Sequence, residues 1–167
     1  PVGTSQVVDG FNMAYALDSS YRTAHHGNTV AHPGGAGGVS QEIRLPAGPA
    51  GLATVYEDGG VTIRAFAVSH APIEPALGYR IDYKGRSVLM SGDTSYDPRI
   101  ASVGEGVDLM LHEALDPEMI EHMEQVLAAN GQTNLAKIMF DIRDYHTTPE
   151  QAGDVAKEAG AQHLVLH

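Results

Sequence analysis

The stretch VTIRAFAVSHAPIEPALGYRIDYKGRSVLMSGD, residues 61–93, decides the fold. Its apolar runs are rich in β-branched and aromatic residues, which favour extended strands. Lys84-Gly85 separates the last two runs as a hairpin turn, and Glu57-Asp58-Gly59-Gly60 predicts an earlier turn. We therefore expect two successive hairpins, with strands at residues 52–56, 61–69, 77–83 and 86–91.

Beyond residue 91, the pattern changes to alternating strands and helices. Short buried strands are predicted at 107–111 and 163–166, and helices at 116–129, 134–141 and 148–160. The last helix has the strongest start signal, because Thr148 can cap it, Pro149 suits its first position and Gln151 completes a capping box. Hairpins followed by alternating strands and helices indicate an α/β or α+β fold built in layers.

The first forty residues have a different character. Residues 4–19 predict a helix with an apolar stripe, capped by Thr4 or Ser5. Residues 22–39 hold three histidines and a glycine-rich run, which predict a flexible loop. The chain begins at Pro1 without a signal-peptide pattern. We therefore expect residues 1–167 to be part of a single domain whose first part lies upstream.

Composition limits the possible classes of protein. With 43% hydrophobic residues in 167, the chain can bury a core, and it has no apolar run long enough for a transmembrane helix. The absence of cysteine excludes disulfides, thiolate nucleophiles and cysteine-type zinc sites. A formal net charge of −11 disfavours a long nucleic acid as partner. Composition decides neither the cellular compartment nor whether the chain forms a homodimer.

Ionisable residues follow four of the apolar runs. These residues are His70, Asp93, the pair His112-Glu113, and His167. The carboxyl ends of strands are where layered α/β folds build their sites, so these side chains are expected to meet in one crevice. Nitrogen and carboxylate ligands without sulfur suit Zn, Mn or Fe. A pair of such ions would lower the pKa of a bound water.

Simpler structural roles compete with this interpretation. A histidine at a strand end is more often a hydrogen-bonding residue than a ligand, and Gly92-Asp93 is a common turn pair. His146 can fill a loop, and the pair His112-Glu113 can neighbour a helix cap at Asp116. The spacing alone leaves a shared metal site and separate structural roles as equal alternatives. The remaining histidines, at positions 25, 26, 32, 122 and 163, are expected to bind nothing.

Five segments in order carry a resemblance to a known family. They are VSHAPIEPALGYRI (68–81), LMSGDTSYDP (89–98), DLMLHEAL (108–115), YHTTPEQAGDVAKEAGA (145–161) and LVLH (164–167). With them the chain resembles the metallo-β-lactamase-fold hydrolases, and among these the ribonuclease Z-like branch. The resemblance implies an α/β fold of the four-layer αβ/βα sandwich type, incomplete at its N-terminus in this chain.

The resemblance also implies a role for each matching residue. His70 resembles a terminal ligand of one metal, Asp93 the carboxylate that bridges both, and His167 a ligand of the second. His146 matches the proton donor of the family, and Glu113 the acid that orients it. The implied cofactors are two divalent ions, in the first place zinc, with manganese or iron as alternatives.

One family motif is absent. The sequence His-x-His-x-Asp-His, which supplies four ligands, does not occur in residues 1–167, and we expect it upstream of Pro1. The implied function is a metal-dependent hydrolase that uses a metal-bound hydroxide on a phosphodiester, ester or lactone. A catalytically inactive binding module of the same fold is the alternative. No basic arm of the kind that transfer-RNA processing needs is found, which favours a small-molecule substrate.

Overall fold

A computed structural model describes residues 3–46 and 51–167 of the chain. The chain divides into two compact units, Pro1–Arg44 and Leu45–His167. The second unit contains every residue for which a catalytic or metal-binding role is predicted.

The first unit is built on one long helix, α1 (Thr4–His26). It extends seven residues beyond the predicted end, because no glycine or proline occurs between residue 19 and Gly27. The predicted cap is wrong: Gly3 is the N-cap and no side chain caps the helix. Ser5 instead donates from its amide (2.9 Å) and its hydroxyl (2.6 Å) to the Glu42 carboxyl group.

The predicted loop at 22–39 is partly helical, since its first five residues belong to α1. Pro33–Gly35 form a short 3₁₀ helix, and the Nδ1 atom of His32 accepts a hydrogen bond from Gly34 N at 3.0 Å. Asn12 of α1 exchanges two hydrogen bonds with Gly38, of 2.9 and 2.8 Å. His32 therefore has a structural role in this loop.

The second unit contains one six-stranded mixed sheet. Its strands are β1 (Ala53–Asp58), β2 (Val61–Val68), β3 (Ala76–Tyr83), β4 (Arg86–Met90), β5 (Leu109–His112) and β6 (His163–Leu166), and they lie in this order across the sheet. Strands β1 to β4 pair antiparallel, and β4, β5 and β6 pair parallel. Both predicted hairpins are present. Only the first turn is corrected, because Glu57 and Asp58 extend β1 and the turn lies at Gly59-Gly60.

Four helices complete the second unit. They are α2 (Arg99–Val103), α3 (Pro117–Ala129), α4 (Thr133–Ile142) and α5 (Pro149–Ala159). Asp116 caps α3, and Thr148 and Gln151 form the predicted capping box of α5. Helix α2 was not predicted, because five residues are too few for a helical period to show. The α/β class is thereby confirmed. None of the described helices has the length and hydrophobicity needed to cross a bilayer.

The core lies between one face of the sheet and helices α2 and α5. Its buried side chains are Phe66, Val68, Leu89, Ile100, Ala101, Val103, Val107, Met110, Val155, Ala156 and Ala159. The opposite face of the sheet is also apolar, yet Met90 and Val165 on it are 40% and 47% exposed. The expectation that β6 is buried is wrong: three of its four residues are exposed, because it is an edge strand of the sheet.

Candidate active site

The predicted site residues share one edge of the sheet. Strand β2 is antiparallel to β3, and β3 to β4, so β2 runs in the same direction as β4, β5 and β6. His70, Asp93, Glu113 and His167 follow the carboxyl ends of these four strands. The prediction that these strands end at one edge of the sheet is confirmed. The meeting of the four side chains in one crevice stays a prediction, and so do the ligand roles.

Glu113 joins three loops at this edge. Its side chain is buried, and its Oε1 atom accepts hydrogen bonds from the backbone amides of Thr94 (3.1 Å) and Thr147 (3.0 Å). The Thr147 hydroxyl donates in turn to the Thr94 carbonyl at 2.6 Å. Because both amides are buried and have this acceptor, the carboxyl group fixes the loop after β4 against the loop before α5.

His146 lies beside Glu113, as the sequence predicts. The two atoms His146 Nδ1 and Glu113 Oε1 are 3.2 Å apart. The His146 ring also packs edge-on against His70, with 5.5 Å between ring centroids. Tyr145 completes this aromatic cluster, since its ring lies 5.0 Å from that of His70 and 5.2 Å from that of His146. The hydrogen bond between His146 and Glu113 is thus present, in contact with a candidate ligand.

Asp93 and His167 occupy more open positions. Both residues are exposed, whereas His70 is only 8% exposed. The His167 amide donates to the His112 carbonyl at 3.1 Å, which places the end of β6 next to the end of β5. Within residues 3–46 and 51–167, no group of three or more His, Asp or Glu side chains is close enough to hold a metal ion.

His112 is the most buried ionisable residue of the edge, with no exposed surface. Its Nδ1 lies 2.7 Å from the Glu113 carbonyl, and a carbonyl can only accept, so this nitrogen carries the proton. Burial lowers the pKa of His112, against the opposing effects of the Glu113 carbonyl and carboxyl groups. The His112 ring is therefore neutral near pH 7, and its Nδ1 atom has a structural role as a hydrogen-bond donor.

A second buried network was missed by the sequence analysis. Asp97 is 2% exposed and accepts hydrogen bonds from the Ser69 amide (3.1 Å) and from Arg99 Nε (2.9 Å). Burial by itself would raise the pKa of Asp97, but the bonds from Arg99 and Ser69 outweigh it and hold the pKa below its ordinary value. The only sequence signal was Asp97-Pro98 within the matching segment 89–98.

The residues at this edge fit part of a divalent-ion site. The Nε2 atoms of His70 and His112 are buried and have no hydrogen-bond partner among the described residues. A buried imidazole nitrogen with a free lone pair is a good zinc ligand, and an exposed carboxyl group such as that of Asp93 can bridge ions. His70, His112 and Asp93 do not by themselves complete two metal-ion sites.

Comparison with known proteins agrees with this architecture. The family model described as the β-lactamase superfamily domain matches residues 45–167, and the chain belongs to this superfamily. Its fold is the metallo-β-lactamase type, in the ribonuclease Z-like branch. The matched range coincides with the second unit, Leu45–His167.

Relatives and solved structures give the same result. Ribonuclease Z of Mycobacterium tuberculosis (strain ATCC 25618 / H37Rv) is 30% identical over 99% of this chain and 53% of its own length. The short form of human tRNase Z superposes with a TM-score of 0.50 and 22% identity, over 70% of this chain and 39% of that one. The chain spans between 51% and 65% of the length of the curated relatives it matches.

Proposed function

We propose that this chain carries part of the active site of a metal-dependent hydrolase that cleaves a phosphodiester, or a related ester or lactone. The observation that carries the proposal is the bond between His146 Nδ1 and Glu113 Oε1 (3.2 Å), formed in contact with His70. A carboxyl group that orients an imidazole beside a candidate ligand is the arrangement a general acid needs.

The proposed ligands of two divalent ions, most simply zinc, are His70, Asp93 and His167. Further donors would have to come from outside these three residues. When bound, such ions lower the pKa of a coordinated water and offset negative charge on the substrate. The described part of the chain contributes the buried His70 and the loops that Glu113 holds at Thr94 and Thr147.

His146 is the proposed proton donor to the leaving group. Its Nδ1 is engaged by Glu113, which leaves Nε2 as the ring nitrogen that can exchange a proton with substrate. Thr147, the next residue, is held through its amide and its hydroxyl, so the backbone at His146 has little freedom. A fixed imidazole loses less entropy when it meets the substrate.

The substrate is proposed to be small. The relatives are named ribonucleases, and the human neighbour is named a tRNase, which favours a phosphodiester. The formal net charge of −11 opposes a long polyanion, because like charges repel over the whole surface. A short phosphodiester, or a neutral ester or lactone, meets less repulsion.

Two measurements on the intact protein test the proposal. Metal analysis should find about two ions per chain, as a bridging carboxylate implies. Hydrolysis of bis(p-nitrophenyl) phosphate, p-nitrophenyl acetate, an aliphatic lactone and a structured RNA should rank the first three above the RNA. A protein without bound metal and without turnover on any of the four would be the inactive binding module instead, and faster cleavage of the RNA would contradict the substrate class.

A further inference from the structure

Ser69, the residue directly before His70, has every polar group bonded to the loop that follows β4. Asp97 Oδ2 accepts from the Ser69 amide at 3.1 Å and from its hydroxyl at 3.2 Å. The Ser69 carbonyl accepts from the amide of Ser95 at 2.7 Å and from the hydroxyls of Thr94 and Ser95, both at 3.1 Å. The amide, the hydroxyl and the carbonyl of Ser69 therefore all bind the end of β2 to this loop.

The same loop contains Asp93, so the network links the two candidate ligands. Strands β2 and β4 are not neighbours, because β3 lies between them. At the usual strand spacing their ends are about 10 Å apart, too far for direct contact between the two backbones. Arg99 strengthens the link, since its Nη2 donates to the Ser69 hydroxyl at 3.1 Å.

We propose that Asp97 is a positioning residue that sets His70 relative to Asp93, so that both present donor atoms to one divalent-ion site. The inference rests on the proposed function, in which these two residues are ligands. Asp97 is buried and is not a proposed ligand, so it acts through its bonds to Ser69. Partners behind metal ligands typically change metal affinity 10–100-fold when they are lost, and a comparable effect is expected here.

The chain provides a matched control at the other end of the strands, where β4 and β5 begin. Asp108, directly before β5, accepts from the Ser87 amide (2.7 Å), the Ser87 hydroxyl (3.2 Å) and Arg86 Nη1 (2.7 Å). These are the same three kinds of donor that Asp97 receives. Because Asp108 lies at the amino ends of β4 and β5, it is far from the candidate ligands.

The experiment compares Asp97→Ala, Asp97→Asn and Asp108→Ala in the intact protein. Zinc affinity is measured by competition with a chelator, and amide hydrogen exchange is measured on the metal-free protein. Asp97→Ala should lower zinc affinity about 10–100-fold and speed exchange at residues 69–70. Asp97→Asn keeps an oxygen that can accept from Ser69, so it should recover part of the zinc affinity. It also replaces the alanine variant if that variant fails to fold. Asp108→Ala should match wild type in both measurements.

The two possible failures are distinct. Zinc affinity that is unchanged in Asp97→Ala and Asp97→Asn, beside a wild-type protein that binds zinc, would overturn the positioning role alone. Equal losses of affinity in Asp97→Ala and Asp108→Ala would overturn it too, since they would reflect general destabilisation. A wild-type protein that binds no zinc would contradict the proposed function, and the positioning role with it.

Discussion

The Oε1 atom of Glu113 lies 3.2 Å from Nδ1 of His146, although 33 positions separate the two residues in the chain. The same oxygen accepts from two buried backbone amides. A single carboxyl group thus holds both the candidate acid and the loops that surround it. Loss of this group should affect stability and turnover together, whereas loss of the imidazole should affect turnover alone.

The imidazole is tested by His146→Ala. Turnover should fall about 10²–10⁴-fold, the usual range for a lost acid/base group, while metal content stays near that of wild type. Asp93→Ala is the companion variant and should lose both metal and activity. Kinetics and metal analysis of the purified proteins check this. Metal loss in His146→Ala would make His146 a ligand, and unchanged turnover would remove it from the mechanism.

The carboxyl group is tested by Glu113→Ala and Glu113→Gln. Alanine leaves the amides of Thr94 and Thr147 without an acceptor, which should cost about 1–3 kcal/mol of unfolding free energy for each buried donor. Glutamine keeps an accepting oxygen, so it should be the more stable of the two in urea denaturation.

Glu113→Gln should nevertheless lower turnover, because hydrogen bonds to a charged group are about twice as strong as those to a neutral amide. Combined with His146→Ala, it should reduce turnover little further, since residues that act as a unit are not additive. Fully additive losses would show that Glu113 and His146 act separately.

The turn before Asp93 is tested by Gly92→Ala. Gly92 has φ +66°, and an added Cβ would collide with the Leu77 carbonyl oxygen. Gly106 is the control, because it has φ +65° and nothing within 4 Å of its Cβ position. Gly106→Ala should cost roughly 1–2 kcal/mol from the backbone conformation alone. Gly92→Ala should cost clearly more in thermal or urea unfolding, and equal losses would contradict the collision.

Asp97 should make stability depend on pH. Its pKa is held below the ordinary 3.8, because hydrogen bonds from Arg99 and Ser69 outweigh the opposing effect of burial. The unfolded chain then binds the proton more readily, so the stabilisation is present above the ordinary pKa and is lost as pH falls through the folded-state pKa. Unfolding free energies of wild type and Asp97→Asn should differ at about pH 6 and converge towards about pH 2. A constant difference across this range would contradict the lowered pKa.

Much of the fold could be predicted from local sequence. Both hairpins follow from apolar runs separated by turn residues, and the capping box at Thr148 follows from three side chains that interact within one helical turn. The set of strand ends that carry ionisable residues was also predictable, because each end is marked by the change from apolar to polar residues. Helix α2 and the full length of α1 were missed, since neither has a pattern that local periodicity distinguishes.

The sequence by itself determined which residues end the strands: His70, Asp93, Glu113 and His167 follow apolar runs whatever the order of strands in the sheet. Only the tertiary structure decided that these ends share one edge, because strand order and direction depend on pairing between distant segments. It also decided that Asp97 reaches Ser69 across the width of β3 and that Glu113 meets His146. These contacts join residues 28 and 33 positions apart, and no spacing rule connects them, since burial and hydrogen bonding select such partners only after the chain has folded.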